Sequence, residues 1–133
     1  MSKVIKIHKS KGPDYIRIHK SKGHANGRLR VVSFKDGDWY VSYSPGLDMS
    51  GYGKTEKTAL ENFFQVVLAD YVKQLLQLSD TQIDAELGKY NFKRNRLQRK
   101  RFKSNAPFVD KQGILRNLNL PAETKITEHY VEV

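Results

Sequence analysis

The chain has 133 residues, a formal net charge of +10, 38% hydrophobic residues and no cysteine. That length suits one ordinary domain, or a small domain with an appendage, around a modest core. The missing cysteine excludes disulfides and thiolate metal sites. No apolar run approaches the roughly 20 residues of a membrane span or forms the core of a signal peptide, so the sequence reads as a soluble cytoplasmic protein with no membrane contact.

Charge is segregated along the chain. Residues 1–35 carry 10 Lys and Arg against one acid, residues 36–89 carry 4 against 9, and residues 90–133 carry 10 against 4. Two basic zones flanking an acidic middle point to a polyanionic partner, DNA or RNA, more than to solubility alone.

The first basic zone is a repeat. VIKIHKSKG, residues 4–12, returns eleven positions later as YIRIHKSKG, residues 15–23. Each copy offers a short strand, Val4 to His8 and Tyr15 to His19, and then a Lys-Ser-Lys-Gly turn. One expectation is a pair of phosphate-binding edges built on Lys9, Lys11, Lys20 and Lys22; the other is a duplicated basic arm or hairpin, residues 1–28, that packs against little. His8, His19 and His24 lie close together in sequence, but no carboxylate or cysteine cluster completes a metal site there, and neither a metal nor a cofactor is expected.

Leu29 to Phe34 reads as a strand, Lys35-Asp36-Gly37-Asp38 as a turn, and Trp39 to Tyr43 as the returning strand, with Trp39, Val41 and Tyr43 on one face and Tyr40 and Ser42 on the other. Met49 to Gly53 is a short third strand or an extended loop. Thr55 is a natural N-cap for a helix running to about Gln77, and Ala59, Leu60, Phe63, Phe64, Val67, Tyr71, Leu75 and Leu76 give it an apolar face broad enough for one flank to be covered by a partner. Trp39, Leu60, Phe64 and Val67 are expected inside. Asp36 and Asp38 suit a turn better than a catalytic pair, and no nucleophile or phosphate-loop spacing is visible, so the chain is not expected to be an enzyme.

The run FKDGDWYVSYSPGLDMSGYGKTEKTALENF resembles the core of the HicB-like antitoxin family. Asp36, Gly37, Tyr40, Pro45, Gly51, Gly53, Thr55, Ala59 and Glu61 stand at matching places, and the match covers about residues 29–77. The resemblance implies a small sheet on one helix, a degenerate ribonuclease-H-like core without metal carboxylates. It also implies an antitoxin, or a protein derived from one, that neutralises a small HicA-type ribonuclease toxin by stoichiometric binding, with Trp39, Tyr40, Tyr43, Pro45 and Tyr52 as the partner surface. The chain departs from the pattern in its Pro45–Gly51 loop, and its C-terminal part lacks a helix-turn-helix or ribbon-helix-helix pattern, so repression of its own operon is not carried over.

Ser79 caps a second, short helix ending at Gly88. The densest charge follows, with Lys93, Arg94, Arg96, Arg99, Lys100, Arg101 and Lys103 interleaved with Phe92, Leu97 and Phe102. Two readings stand: a polyanion contact whose aromatics stack on unpaired bases, or a solvated connector. Pro107 to Leu120 reads as a hairpin about Asp110–Gly113, and Lys125 to Val133 as a closing strand. The whole is α+β, a small antiparallel sheet on one long helix with a short second helix and C-terminal strands. Residues 79–133 are expected to extend the 29–78 core, and the open sheet edge and broad helix face to favour a homodimer or larger.

Overall fold

The strand-forming run from His24 to Asp36 is one strand of 13 residues, and the antiparallel sheet is organised around it. The computed structural model describes residues 12–132 and the backbone of Lys6–His8. In chain order the elements are β1 (Lys6–His8), β2 (Tyr15–His19), β3 (His24–Asp36), β4 (Trp39–Ser44), β5 (Met49–Gly53), α1 (Glu56–Asn62), a π-helical turn (Phe63–Val67), α2 (Leu68–Leu76), α3 (Asp80–Gly88), β6 (Phe92–Arg94), β7 (Arg101–Ser104), α4 (Lys111–Asn117) and β8 (Thr127–Glu132).

Two strands share one edge of β3, end to end. β2 pairs with its first part, Tyr15 opposite Arg28, and β4 with its last part, Tyr43 opposite Val32. On the other edge β8 spans both, from Arg28 opposite Glu132 to Ser33 opposite Thr127. The sheet continues from β8 to β1 on one side, and from β2 to β7 and β6 on the other, while β5 extends it beyond β4. The two sequence copies therefore become β1 and β2, on opposite flanks of the β3–β8 pair. The second copy is an inner strand and not an arm, so residues 15–28 belong to the same sheet as the rest.

Local chemistry explains the middle. Gly37 takes φ 63° in the β3–β4 turn, a conformation a side chain disfavours. Thr55 accepts the Thr58 N–H at 3.1 Å and donates its own N–H to Thr58 Oγ1 at 3.0 Å, a reciprocal cap in which Thr58 does the work usually given to Glu or Gln. From there α1, the π turn and α2 run on as one helix. This helix rides close on β5 because Gly51 and Gly53 present no side chain to it: a Cβ on Gly51 would come within 2.4 Å of the Phe63 nitrogen.

Period-two alternation sorts the sheet into two faces. The helix side carries Ile16, Ile18, Leu29, Val31, Phe92, Phe102 and Val131, which form one core cluster with Phe63, Phe64, Leu68 and Leu75 of the long helix and Ile83 and Leu87 of α3. The flank of the long helix that the sequence left for a partner is thus covered by α3 from the same chain. On the opposite face Val32, Phe34 and Val41 are buried too, as are Ile114 and Leu115 of α4.

Several expectations need correction. Phe64 is buried, but Leu60 and Val67 are only half-buried and Trp39 is 47% exposed. Its ring lies under Lys54 Nζ, 3.9 Å from the centroid. The hairpin expected at residues 107–120 is α4, with Asp110 as its N-cap accepting the Gly113 N–H at 2.8 Å. Asp-x-x-Gly serves a turn and a helix start through the same side-chain to backbone bond, so the residues alone allow both. No helix among the described residues is long and apolar enough to cross a membrane.

Candidate nucleic-acid interface

On the face of the sheet away from the long helix, the strands β6, β7, β2 and the start of β3 present Arg17, Arg28, Lys93, Arg101 and Lys103 and no acid. Tyr15, Arg17 and His19 point there because Ile16 and Ile18 point into the core. β7 adds Arg101 and Lys103, β6 adds Lys93, and β3 adds His24, Asn26 and Arg28. The register sets like charges directly opposite one another, Arg17 against Arg101 and Lys93 against Lys103. Such cross-strand pairs are unfavourable in an isolated sheet by a few tenths of a kcal/mol to about 1 kcal/mol each.

Tyr15 sits in the middle of this face. The guanidinium carbons of Arg101, Arg28 and Arg17 lie 4.3, 5.5 and 5.6 Å from its ring centroid. The ring gathers the three side chains and partly offsets their repulsion, since each cation–π contact at a surface is worth about 0.5–1 kcal/mol. At the far end His19 and His24 stack at 4.8 Å, with His19 Nε2 3.3 Å from Asn26 Oδ1.

The rim of this face joins the two basic zones of the sequence. The Ile18 N–H donates to the Lys100 carbonyl at 2.8 Å, bringing the Lys20–Lys22 turn beside the 94–100 segment. Lys20, Arg94, Arg99 and Lys100 then line, together with Asp80 and the core residues Ile18 and Ile83, a cleft of about 530 Å³ on the helix side of that rim. Arg94 is already spent, since its Nε bonds Asp84 Oδ1 at 2.8 Å and its guanidinium covers Phe102. Arg96, Arg99 and Lys100 are exposed in the β6–β7 connection. Lys93 and Arg101 lie on the open face itself. Lys9 and Lys11 lie outside the described residues. Phe92 and Phe102, expected as stacking platforms, are instead buried on the helix side at 3% and 0% exposure, and Leu97 is left in solvent.

Sequence reasoning missed Tyr15, Arg17 and Arg28, and found Lys103 only as one of the cations of the 92–103 segment. The signal was present in the alternation of YIRIH, whose apolar positions fix the face of its aromatic and its arginine.

The residues named as a partner surface divide. Trp39, Tyr43 and Tyr52 share one face of β4 and β5, with Tyr52 57% exposed, while Tyr40 points to the other. Tyr43 donates to Asp48 Oδ1 at 2.7 Å, and burial with this neighbouring carboxylate holds its hydroxyl above the ordinary range. Pro45 lines a different cavity, described next.

Between the start of β2 and the end of β4, residues 29–31 of β3 have no strand beside them on that edge. Asp14 stands in for one: its Oδ1 accepts the Arg30 N–H at 2.8 Å. Its own carbonyl accepts the Ser104 N–H at 2.9 Å. Asp14 is buried, and burial pushes its carboxyl from 3.8 up to about 6, opposed by the Arg30 N–H and by the charges of Arg30 and Arg28. The folded carboxyl holds its proton more tightly than the unfolded one. Its contribution to stability is therefore full below about pH 4 and is lost as pH rises through about 6, a change of about 3 kcal/mol. Asp14→Asn keeps an oxygen for the Arg30 N–H and does not titrate. Urea unfolding from pH 4 to 7 is expected to show the wild type losing stability relative to this variant; parallel curves would refute it.

No protein-family model matches the chain, and no curated protein or solved structure matches it either.

Proposed function

We propose that the protein binds nucleic acid, single strands in particular, on the basic face formed by Tyr15, Arg17, Arg28, Lys93, Arg101 and Lys103. The observation that carries this is the opposition of Arg17 to Arg101 and of Lys93 to Lys103. A sheet gains nothing from like charges in adjacent register, whereas phosphates laid across the strands turn each repulsion into a shared contact. Guanidinium groups held beside Tyr15 offer flat surfaces on which unpaired bases stack. The long helix and α3 lie on the other side of the sheet, so neither is available on this face to enter a major groove.

Fluorescence anisotropy with a labelled 12-nucleotide single strand tests this. Affinity is expected to fall between 50 and 300 mM salt with a slope of about 0.7 in log K per neutralised phosphate, and to exceed that for a duplex of equal length. Absence of binding at 50 mM salt would remove the proposal.

A second reading keeps the resemblance to HicB-like antitoxins. It is favoured by the β3–β4–β5 meander on the long helix and by Trp39 and Tyr52, exposed beside the β5 edge. Under it, a small basic ribonuclease toxin is neutralised by stoichiometric binding at that edge, 1:1 capture surviving nuclease treatment. The two readings use opposite ends of the same sheet face, so charge-removing variants at Arg17, Arg101 and Lys103 leave the β5 edge untouched.

A further inference from the structure

The sheet face that carries the basic residues does not end at Arg28. Two residues on, Arg30 and its cross-strand neighbour Tyr130 occupy the same face, and there the missing strand beside β3 leaves a cavity of about 560 Å³. Asp14, Arg30, Gly46, Phe108 and Tyr130 are among its walls. We propose that this cavity takes one unpaired guanine of the bound strand, held by the Asp14 carboxylate and stacked against Phe108; the inference rests on the nucleic-acid reading above.

The chemistry begins with the half-used carboxylate. Oδ1 accepts the Arg30 N–H, and among the described residues no hydrogen bond reaches Oδ2. Oδ2 packs beside Gly46, where a Cβ would come within 2.4 Å of it, so a side chain at this position would take the space this oxygen occupies at the cavity wall. A buried carboxylate with an open oxygen needs donors. Guanine supplies two side by side, N1–H and the exocyclic N2–H, matched by Oδ2 and the remaining lone pair of Oδ1. Adenine and cytosine set an acceptor nitrogen beside their amino group, and uracil flanks its single N–H with carbonyls, so each meets the carboxylate with at least one repulsive contact.

The wall opposite is fixed in place. Arg30 Nε and Nη2 lie 2.8 and 2.7 Å from Glu128 Oε2, and Nη1 donates to the Val109 carbonyl at 2.6 Å. Its guanidinium lies 4.4 Å from the Phe108 ring centroid. A phenylalanine that is 66% exposed yet backed by a clamped arginine keeps its aromatic surface turned to an incoming ring.

The test uses four 12-nucleotide strands, identical except for one central G, A, C or U, in anisotropy titrations of the full chain at pH 7.5. The G strand is expected to bind about tenfold tighter than the others, the usual discrimination of one good paired contact. Asp14→Asn, which replaces the open oxygen by an NH₂, is expected to abolish that preference and leave the salt slope unchanged. Phe108→Ala, at an exposed position, is expected to weaken the G strand several-fold. Lowering the pH to 5.5 protonates Asp14 and narrows the gap between G and A. Equal affinity for all four strands, or a G preference that survives Asp14→Asn, overturns this inference and leaves the nucleic-acid reading standing. Failure of every strand to bind overturns both. Competition by free GMP and AMP separates the sources of the base: displacement by micromolar GMP alone would assign the cavity to a free guanine nucleotide and overturn the strand.

Discussion

Replacing Arg17, Arg101 and Lys103 together by Gln is expected to lower single-strand affinity on the order of 100-fold at 50 mM salt, with stability unchanged to within about 1 kcal/mol. The first number follows from counterion release. Three neutralised phosphates fewer reduce the slope of log K against log salt by about 2, and extrapolated from 1 M to 50 mM that amounts to between two and three powers of ten. The second follows from two opposing small effects. Relieving the Arg17–Arg101 and Lys93–Lys103 repulsions returns about 0.2–1 kcal/mol per pair, and losing the contacts of Arg17 and Arg101 with Tyr15 costs about 0.5–1 kcal/mol each. Salt titrations and urea unfolding on the same preparation read both. If these cations were there to stabilise the sheet, the variant would lose stability and keep its affinity, and that pattern would sink the proposed function.

Short-range chemistry was legible in the sequence, and long-range pairing was not. The Asp36-Gly37 turn, the Thr55 and Ser79 caps and the unbroken helix after Thr55 depend on neighbours within four residues, and they stand where the residues put them. Gly51 and Gly53 read from sequence as part of a strand or tight loop before the Thr55 cap; their physical reason is the close approach of the long helix to β5. The basic face was spread over two zones whose members meet only because β2 pairs with β7, 88 positions apart at Tyr15 and Lys103. Nothing local announces such a partner. What misled was composition: the 92–103 segment looked like one uniform basic stretch, whereas two three- to four-residue strands in it alternate, turning Phe92 and Phe102 inward and Lys93, Arg101 and Lys103 outward. α4 escaped because seven residues contain too little periodicity to outweigh the turn chemistry of Asp110 and Gly113.

Phe102→Ala is expected to cost about 3–5 kcal/mol of folding stability, the usual loss for a fully buried phenylalanine, against a total that for a domain of this size is about 5–15 kcal/mol. Phe102 has 0% exposure, lies opposite Ile16 on the helix side of the sheet and carries the Arg94 guanidinium 4.5 Å from its ring centroid. Truncation opens a cavity under β2 and β7 and strips Arg94 of its aromatic seat while its bond to Asp84 remains. Its neighbour Lys103 makes the opposite prediction, no loss of stability and weaker binding, because successive residues of a strand face opposite sides. A slip of one position between β2 and β7 would exchange the two outcomes. Urea unfolding and strand binding measured on Phe102→Ala and Lys103→Gln therefore test the face assignment on which the basic surface depends. A Phe102→Ala protein that unfolds at the wild-type urea midpoint but no longer binds would mean that the ring touches the ligand and that the face has been assigned to the wrong side of the sheet.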